Sequence, residues 1–338
     1  MTHLTALDVT KVDSTDPGVS PLAPLGFVGL GIMGRPMALN LRRAGWPLFV
    51  HARRAEAMDP LVAAGAIACT SPAEVARQVE ILFTMVADTA DVEHVILGHE
   101  GILAGARPGL VVVDMSTISA AATRVLARRL AGHGVELLDA PVSGGETGAI
   151  QGTLSIMVGG AAAAFARALP LFQVLGKNIV HVGGHGAGQV CKACNQVVIS
   201  QTLAGVGEAL LLARAAGVDP AKVRAALLGG SAQSKVLEMH GQRMIDHNFA
   251  PGFKARLHQK DLHLVLEAAQ ELGLALPGTA LAAQYLNALV GRGHGEMDSS
   301  AIYEVQEATS GLGYGSLHLN PDSESLDLRP RGGFQTSQ

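Results

Sequence analysis

The chain changes character at Leu25. From there, short apolar runs alternate with longer stretches in which apolar residues recur every three or four positions. These are the periods of buried strands and amphipathic helices. The runs predict strands over Leu25–Leu30, Leu48–His51, Ile81–Val86, Leu110–Asp114, Glu136–Leu138, Leu154–Val158 and Ile179–Val182. Helical periods between them predict helices over Pro36–Arg43, Ala73–Arg77, Ala120–Leu130 and Ala161–Leu175. Strands alternating with helices point to βαβ units, and so to an α/β Rossmann domain with a doubly wound, mostly parallel sheet.

After the glycine-rich stretch Gly183–Gly188 the strand signal stops. Val190–Ala216 reads as one long helix with Gly217 as its C-cap. Asp219 and Pro220 carry the N-cap and first-turn signals of the next helix. Helical patterns continue through Val236–Met244, Lys260–Leu272, Thr279–Val290 and Ser300–Glu307, so an all-α domain is expected. The expected organisation is a disordered tail over 1–24, a nucleotide-binding domain over 25–186, a helical substrate and dimerisation domain over 187–310, and a flexible tail over 311–338.

Composition narrows the class. The 338 residues are 48% hydrophobic and 16% charged, which fits a globular chain with a sizeable core. A net charge of −4 with one Trp, three Tyr and eight Phe argues against a nucleic-acid partner. Three cysteines cannot form a disulfide framework and fit a reducing compartment. Residues 1–24 carry Asp8, Asp13 and Asp16 without an apolar core, which excludes a secretory signal. The apolar stretch Val197–Ala213 is interrupted by Ser200, Gln201 and Glu208, so a buried helix is expected there and no membrane span. A cytoplasmic homo-oligomer, dimer or tetramer, is the expectation, with the long helix as a candidate interface.

The first chemical signal is Gly29-Leu30-Gly31-Ile32-Met33-Gly34, a G-x-G-x-x-G between a strand and a helix. In that context it reads as a dinucleotide fingerprint. Gly29 permits the turn, Gly31 lets a pyrophosphate approach the backbone, and Gly34 lets the helix pack on the strand. An NAD-selective site has an acid about 20 residues on, binding the ribose 2′-hydroxyl. Here Arg53 and Arg54 stand in that slot. Their forks suit a 2′-phosphate, which favours NADP(H) over NAD; a solvated surface pair is the competing reading.

Four blocks then carry a resemblance. They are Phe27–Met37, Asp139-Ala-Pro-Val-Ser-Gly-Gly145, Gly186-Ala-Gly-Gln-Val-Cys-Lys192-Ala-Cys-Asn195-Gln196 and Lys260-Asp261-Leu262. Together they resemble the β-hydroxyacid dehydrogenases, which include the 3-hydroxyisobutyrate dehydrogenases. Leu138–Glu146, Gly152–Gly160 and Leu257–Leu262 most resemble the tartronate semialdehyde reductase branch. The resemblance implies an NAD(P)-dependent oxidoreductase that reduces tartronate semialdehyde to glycerate, with a 3-hydroxyisobutyrate dehydrogenase or a glyoxylate or succinic semialdehyde reductase as alternatives. It implies Lys192 as the catalytic lysine and Ser143, Gly144 and Gly145 as the carboxylate loop. It also implies Asn195 as the orienting amide, and Met85, Val86, Thr117 and Lys260 as cofactor contacts. Ala52 departs from the family's Asn-Arg pair at this point.

The chemistry is coherent on its own terms. An ammonium at Lys192 can bond a carbonyl oxygen, stabilise the developing alkoxide and donate a proton. Asn195, three residues on, is expected on the same helix face. A non-catalytic nucleotide sensor is the rival class, but it has no need of a proton donor at Lys192. Cys191 and Cys194 form a C-x-x-C, read as small buried core residues in preference to a redox or zinc pair. The 13 histidines show no H-E-x-x-H spacing, so no metal is expected.

Overall fold

The computed structural model describes residues 22–312. Apart from residues 22–24 and 311–312, the tail readings therefore fall outside the described residues. The nine strands described are β1 (Leu25–Val28), β2 (Leu48–His51), β3 (Ile67–Ala68), β4 (Ile81–Thr84), β5 (Val111–Asp114), β6 (Glu136–Asp139), β7 (Val142–Ser143), β8 (Leu154–Gly159) and β9 (Gly176–Gly183). They form one sheet in the order β3-β2-β1-β4-β5-β6-β8-β7, with β9 on β8. The half from β3 to β6 is parallel, whereas β8 runs antiparallel to β6 and β7.

Helices α1 (Gly34–Arg43), α2 (Asp59–Ala63), α3 (Pro72–Gln78), α4 (Thr89–Leu97), α5 (Ile102–Gly105), α6 (Ala120–Ala131), α7 (Gly145–Gln151) and α8 (Ala162–Leu175) connect the strands. The central strands are buried on both faces, as a parallel sheet covered by crossover helices must be. Side chains alternate between two apolar cores. Phe27 stacks on Phe83 beside Met37, Leu41 and Phe172 on one face, and Val28, Leu82 and Val112 meet Leu126 and Leu130 on the other. The second half is helical: α9 (Ala187–Ala215), α10 (Pro220–Leu228), α11 (Lys235–Ile245), α12 (Ala255–Glu271), α13 (Pro277–Gly291) and α14 (Ile302–Thr309). Its own core gathers Leu203, Leu210, Leu262, Leu286, Ile302 and Tyr303 around α9.

The structure adds short elements that the pattern reading lacks, among them β3, α2, α4 and α5, and α12 begins at Ala255, ahead of the expected Lys260; two further differences bear on the site. The long helix begins at Ala187, a turn before the expected Val190, which places Gln189 in its first turn. The Ser143–Gly145 block is not a plain loop: Val142–Ser143 pairs with β8, and Gly145 opens α7. By length and composition α9 is the one helix among the described residues that could cross a membrane. Half of its most apolar window is packed inside the molecule.

Candidate active site

The strand order reverses at β1, which has β2 on one side and β4 on the other. Ligands of doubly wound sheets bind beyond the strand C-termini at such a switch point. Gly29 follows β1 there with φ +96° and its Cα faces the β4 end; a Cβ would stand 2.9 Å from the Met85 carbonyl carbon. A Cβ on Gly34 would overlap the Gly29 carbonyl oxygen and come within 3.1 Å of the Phe27 ring. A Cβ on Gly31 would meet nothing within 4 Å, because that face opens into a cleft. No side chain caps the N-terminus of α1 and its first turn holds no acid, so the helix end offers its N–H groups to an anion.

The cleft has a volume of about 1050 Å³. Gly29, Leu30, Gly31, Ile32, Met33, Gly34, Arg53, Arg54, Met85, Val86, Thr117 and Lys260, the whole expected cofactor set, line it together. Arg53 is mostly exposed and is held by Asp91 at 3.1 Å, while Asp88 caps α4 through the Asp91 N–H. From the helical half, Phe253, Leu257, Lys260 and Asp261 close the other wall. Lys260 Nζ donates to the Thr117 carbonyl at 2.6 Å and pairs with Asp261 at 3.1 Å. These residues fit a dinucleotide: a glycine cradle with room above it, an uncapped helix end, and two arginines at the end of β2.

Lys192, Ser143, Gly144, Gly145 and Asn195 lie outside the lining of that cleft. The start of α9 is bound to the sheet by Asp139, fully buried at the end of β6 and four residues before Ser143. Its carboxylate accepts from the Gly186 N–H at 2.8 Å and the Gln189 N–H at 3.0 Å. Burial raises the Asp139 pKa and those N–H bonds oppose the rise. The Gln189 side chain bonds the Ser116 carbonyl and the Ile118 N–H, next to Thr117. Asp114, in register with Asp139 on β5, accepts from Thr84 and the Ser116 N–H, and burial pushes its pKa up to about 6.

One turn beyond Gln189, Lys192 is only 7% exposed, so it is not a snorkelling surface lysine. Burial lowers its pKa; Asp261 opposes the shift and Lys260 adds to it. The buried amide on this face is Gln196, at i+4, with the expected Asn195 half-buried beside it. Gln196 donates to Asp261 at 2.6 Å, and the half-buried Asn195 donates to Gln196 at 2.8 Å. The resemblance implied Asn195, and i+3 and i+4 both share the lysine's side of a helix, so the sequence did not show that Gln196 is the more buried amide. His258, one turn before Asp261, is buried among these groups, and burial lowers its pKa to about 4. Cys191 is half-buried and Cys194 exposed, which corrects the reading of both as core residues. No group of three His, Cys, Asp or Glu among the described residues could hold a metal ion.

Comparison with known proteins agrees with this geometry. Residues 24–183 match the model described as the NAD binding domain of 6-phosphogluconate dehydrogenase. Residues 186–306 match the model for the NAD-binding region of NADP-dependent 3-hydroxyisobutyrate dehydrogenase. The chain is 49% identical to 2-hydroxy-3-oxopropionate reductase of Escherichia coli K12, over 84% of this chain and 97% of that protein. It is 38% identical to 3-hydroxyisobutyrate dehydrogenase of Pseudomonas aeruginosa, over 84% of this chain and 98% of that one. Mycobacterium tuberculosis 3-hydroxyisobutyrate dehydrogenase, solved with L-serine, superposes with a TM-score of 0.78 at 30% identity, covering 84% of this chain and 99% of that one. A fold with a dinucleotide cleft at its switch point, a buried lysine on the following helix, and relatives of this kind over most of its length place the chain in the β-hydroxyacid dehydrogenase family of NAD(P)-dependent oxidoreductases.

Proposed function

We propose that this protein reduces tartronate semialdehyde (2-hydroxy-3-oxopropanoate) to glycerate, with NADPH as hydride donor and Lys192 as general acid. The observation that carries the substrate is the 49% identity to the Escherichia coli reductase over nearly the whole of that enzyme. When bound, the nicotinamide cofactor supplies the hydride. The Gly29–Gly34 turn would hold the pyrophosphate, Arg53 and Arg54 the 2′-phosphate, and Met85, Val86, Thr117 and Lys260 the nicotinamide half.

Lys192 would bond the aldehyde oxygen, stabilise the growing alkoxide and deliver the proton. Its burial favours release of that proton, and Asp261 keeps the ammonium populated before the reaction. The Ser143 hydroxyl with the Gly144 and Gly145 N–H groups would take the carboxylate. Gln196, braced by Asn195 and Asp261, would orient the substrate beside the lysine.

The test is a matched pair of substrates. Methylmalonate semialdehyde carries a methyl group where tartronate semialdehyde carries a hydroxyl. A site built to bond that hydroxyl rejects an analogue without it by up to about 10⁴–10⁵, whereas an apolar pocket discriminates far less. NADPH oxidation should give a kcat/KM ratio well above about 10² in favour of tartronate semialdehyde. A ratio near unity, or a preference for the methyl compound, would reassign the protein to the 3-hydroxyisobutyrate branch.

A further inference from the structure

The Ser116–Ile118 segment faces the cleft through Thr117 and is gripped from the helical half twice. Lys260 holds the Thr117 carbonyl. Gln189 brackets the same residue: its Oε1 accepts from the Ile118 N–H at 3.1 Å and its Nε2 donates to the Ser116 carbonyl at 2.8 Å. One amide thus pairs with the backbone on both sides of Thr117, much as a neighbouring strand would. Gln189 is only 3% exposed. Its own N–H is held by Asp139, and the Ser116 hydroxyl accepts from the Val86 N–H at 3.0 Å. The amide therefore lies between the cleft wall and the helix that carries Lys192, just under one turn away on the same buried face.

We propose that Gln189 is a positioning residue for the reaction: its two-point amide sets the distance and angle between Lys192 and the cofactor-facing segment Ser116–Ile118. The proposal rests on the reading of Lys192 as proton donor. Without the amide, the Ile118 N–H and the Ser116 carbonyl are left buried and unpaired, so helix and segment separate until water or a neighbour satisfies them. A displacement of about 1 Å at such a junction costs roughly 100-fold in rate.

Two variants test this. Gln189→Met keeps the volume and removes both hydrogen bonds. Gln189→Glu keeps the shape, and its effect depends on pH. As a carboxylate, the new side chain accepts from Ile118 but repels the Ser116 carbonyl. As a carboxylic acid, it donates to Ser116 and accepts from Ile118, restoring the pair. Asp139 from β6, His185 in the turn before α9, Asp114 from β5, Lys192 from α9, and Lys260 and Asp261 from α12 are charged or titratable groups around this corner. All are present in the wild type too, so the ratio of variant to wild-type kcat isolates the new carboxyl.

The expected result is a kcat for aldehyde reduction about 10–100-fold down in Gln189→Met. The KM for NADPH should change far less than kcat, because the glycine turn is untouched and Thr117 is one contact among many. For Gln189→Glu, the kcat ratio should climb toward unity as pH falls from about 8.5 to about 5.5, the span over which a buried carboxyl gains its proton. Near-normal kcat in both variants, or a ratio that does not change with pH, overturns the proposal. If the methionine variant fails to fold, the pH course of the glutamate variant decides. Lys192→Ala is measured alongside. Retained turnover there refutes the reading of the lysine, whereas an inactive Lys192→Ala beside normal Gln189 variants refutes the positioning role alone.

Discussion

The glycine turn permits a prediction in which two neighbouring alanine substitutions fail in opposite ways. At Gly31 a Cβ meets nothing within 4 Å, so Gly31→Ala introduces no clash in the protein. Restricting the unfolded chain should leave the free protein as stable as the wild type, or more stable by up to about 1 kcal/mol. The new methyl group stands where the pyrophosphate must approach the backbone. A charge-assisted hydrogen bond is worth about 1.5–3 kcal/mol, so losing one weakens NADPH binding by roughly tenfold to over a hundredfold. At a concentration of about 100 times the wild-type Kd, NADPH stabilises the wild type by about 2.7 kcal/mol. A variant binding 100-fold more weakly gains only about 0.4 kcal/mol at that concentration. For a domain of this size 1 kcal/mol shifts Tm by roughly 2–4 °C, so a cofactor-induced shift of about 5–11 °C should shrink to about 1–2 °C.

Gly34→Ala should behave differently. Its Cβ would overlap the Gly29 carbonyl oxygen and lie 3.1 Å from the Gly29 carbonyl carbon, both backbone atoms that cannot swing aside. Overpacking of this kind costs about 1–3 kcal/mol with or without cofactor. The assay is thermal unfolding of both variants, with and without NADPH, beside a fluorescence titration for Kd. A Gly31→Ala protein that binds NADPH normally, or a Gly34→Ala protein with an unchanged Tm, would refute this account of the turn.

Four further outcomes follow from the structure. Lys192→Ala should lower kcat by about 10²–10⁴. In the wild type, reduction should fail as pH rises through a lysine pKa that burial holds below the ordinary 10.5, while alcohol oxidation rises through the same pKa; limbs of the same sign in both directions would count against the lysine. Arg53→Ala should erase about tenfold or more of any NADPH preference over NADH in kcat/KM and leave Tm unchanged, since its pair with Asp91 is on the surface; an unaltered preference would assign the 2′-phosphate elsewhere. The buried Asp114, raised to about 6 from 3.8, binds its proton more tightly folded than unfolded, so stability should drop as pH rises between those values, by at most about 3 kcal/mol. Urea melts of the wild type and Asp114→Asn across that range should show a larger drop in the wild type than in the variant, where the buried Asp139 still contributes a drop of the same sign; equal drops would remove Asp114 from this account.

Much of this was legible in the chain because it is local. The glycine turn declares itself within six positions, and the strand before it and helix after it follow from periodicity. What was not legible depends on partners far apart. Asp139 reads as part of a block, but its bonds to Gly186 and Gln189 span about 50 residues and leave no periodic trace. That Gln196 is turned toward α12 needed the rotation of α9 against α12, which the Gln196 bond to Asp261 reveals. Helix α7 holds two glycines within Gly145–Gln151, so propensity argued against it; packing on α1, where Asn40 bonds the Ala149 carbonyl, supports it.

The long helix α9 has a mechanical consequence. At about 1.5 Å per residue its 29 residues form a shaft of roughly 43 Å. One end is keyed to the sheet by Asp139 and Gln189, and its far side carries the core of the helical half at Leu203 and Leu210. The direction of Lys192 and the angular seating of that core are two readings of one phase. A single residue inserted between Gln189 and Lys192 would turn everything downstream by about 100°. Either the keyed start, or the lysine and the core together, could then be in place, but not both. An insertion in the turn ahead of Gly186 would leave that phase alone. Length changes in this protein should therefore be tolerated up to the edge of the shaft and rejected within its first turns.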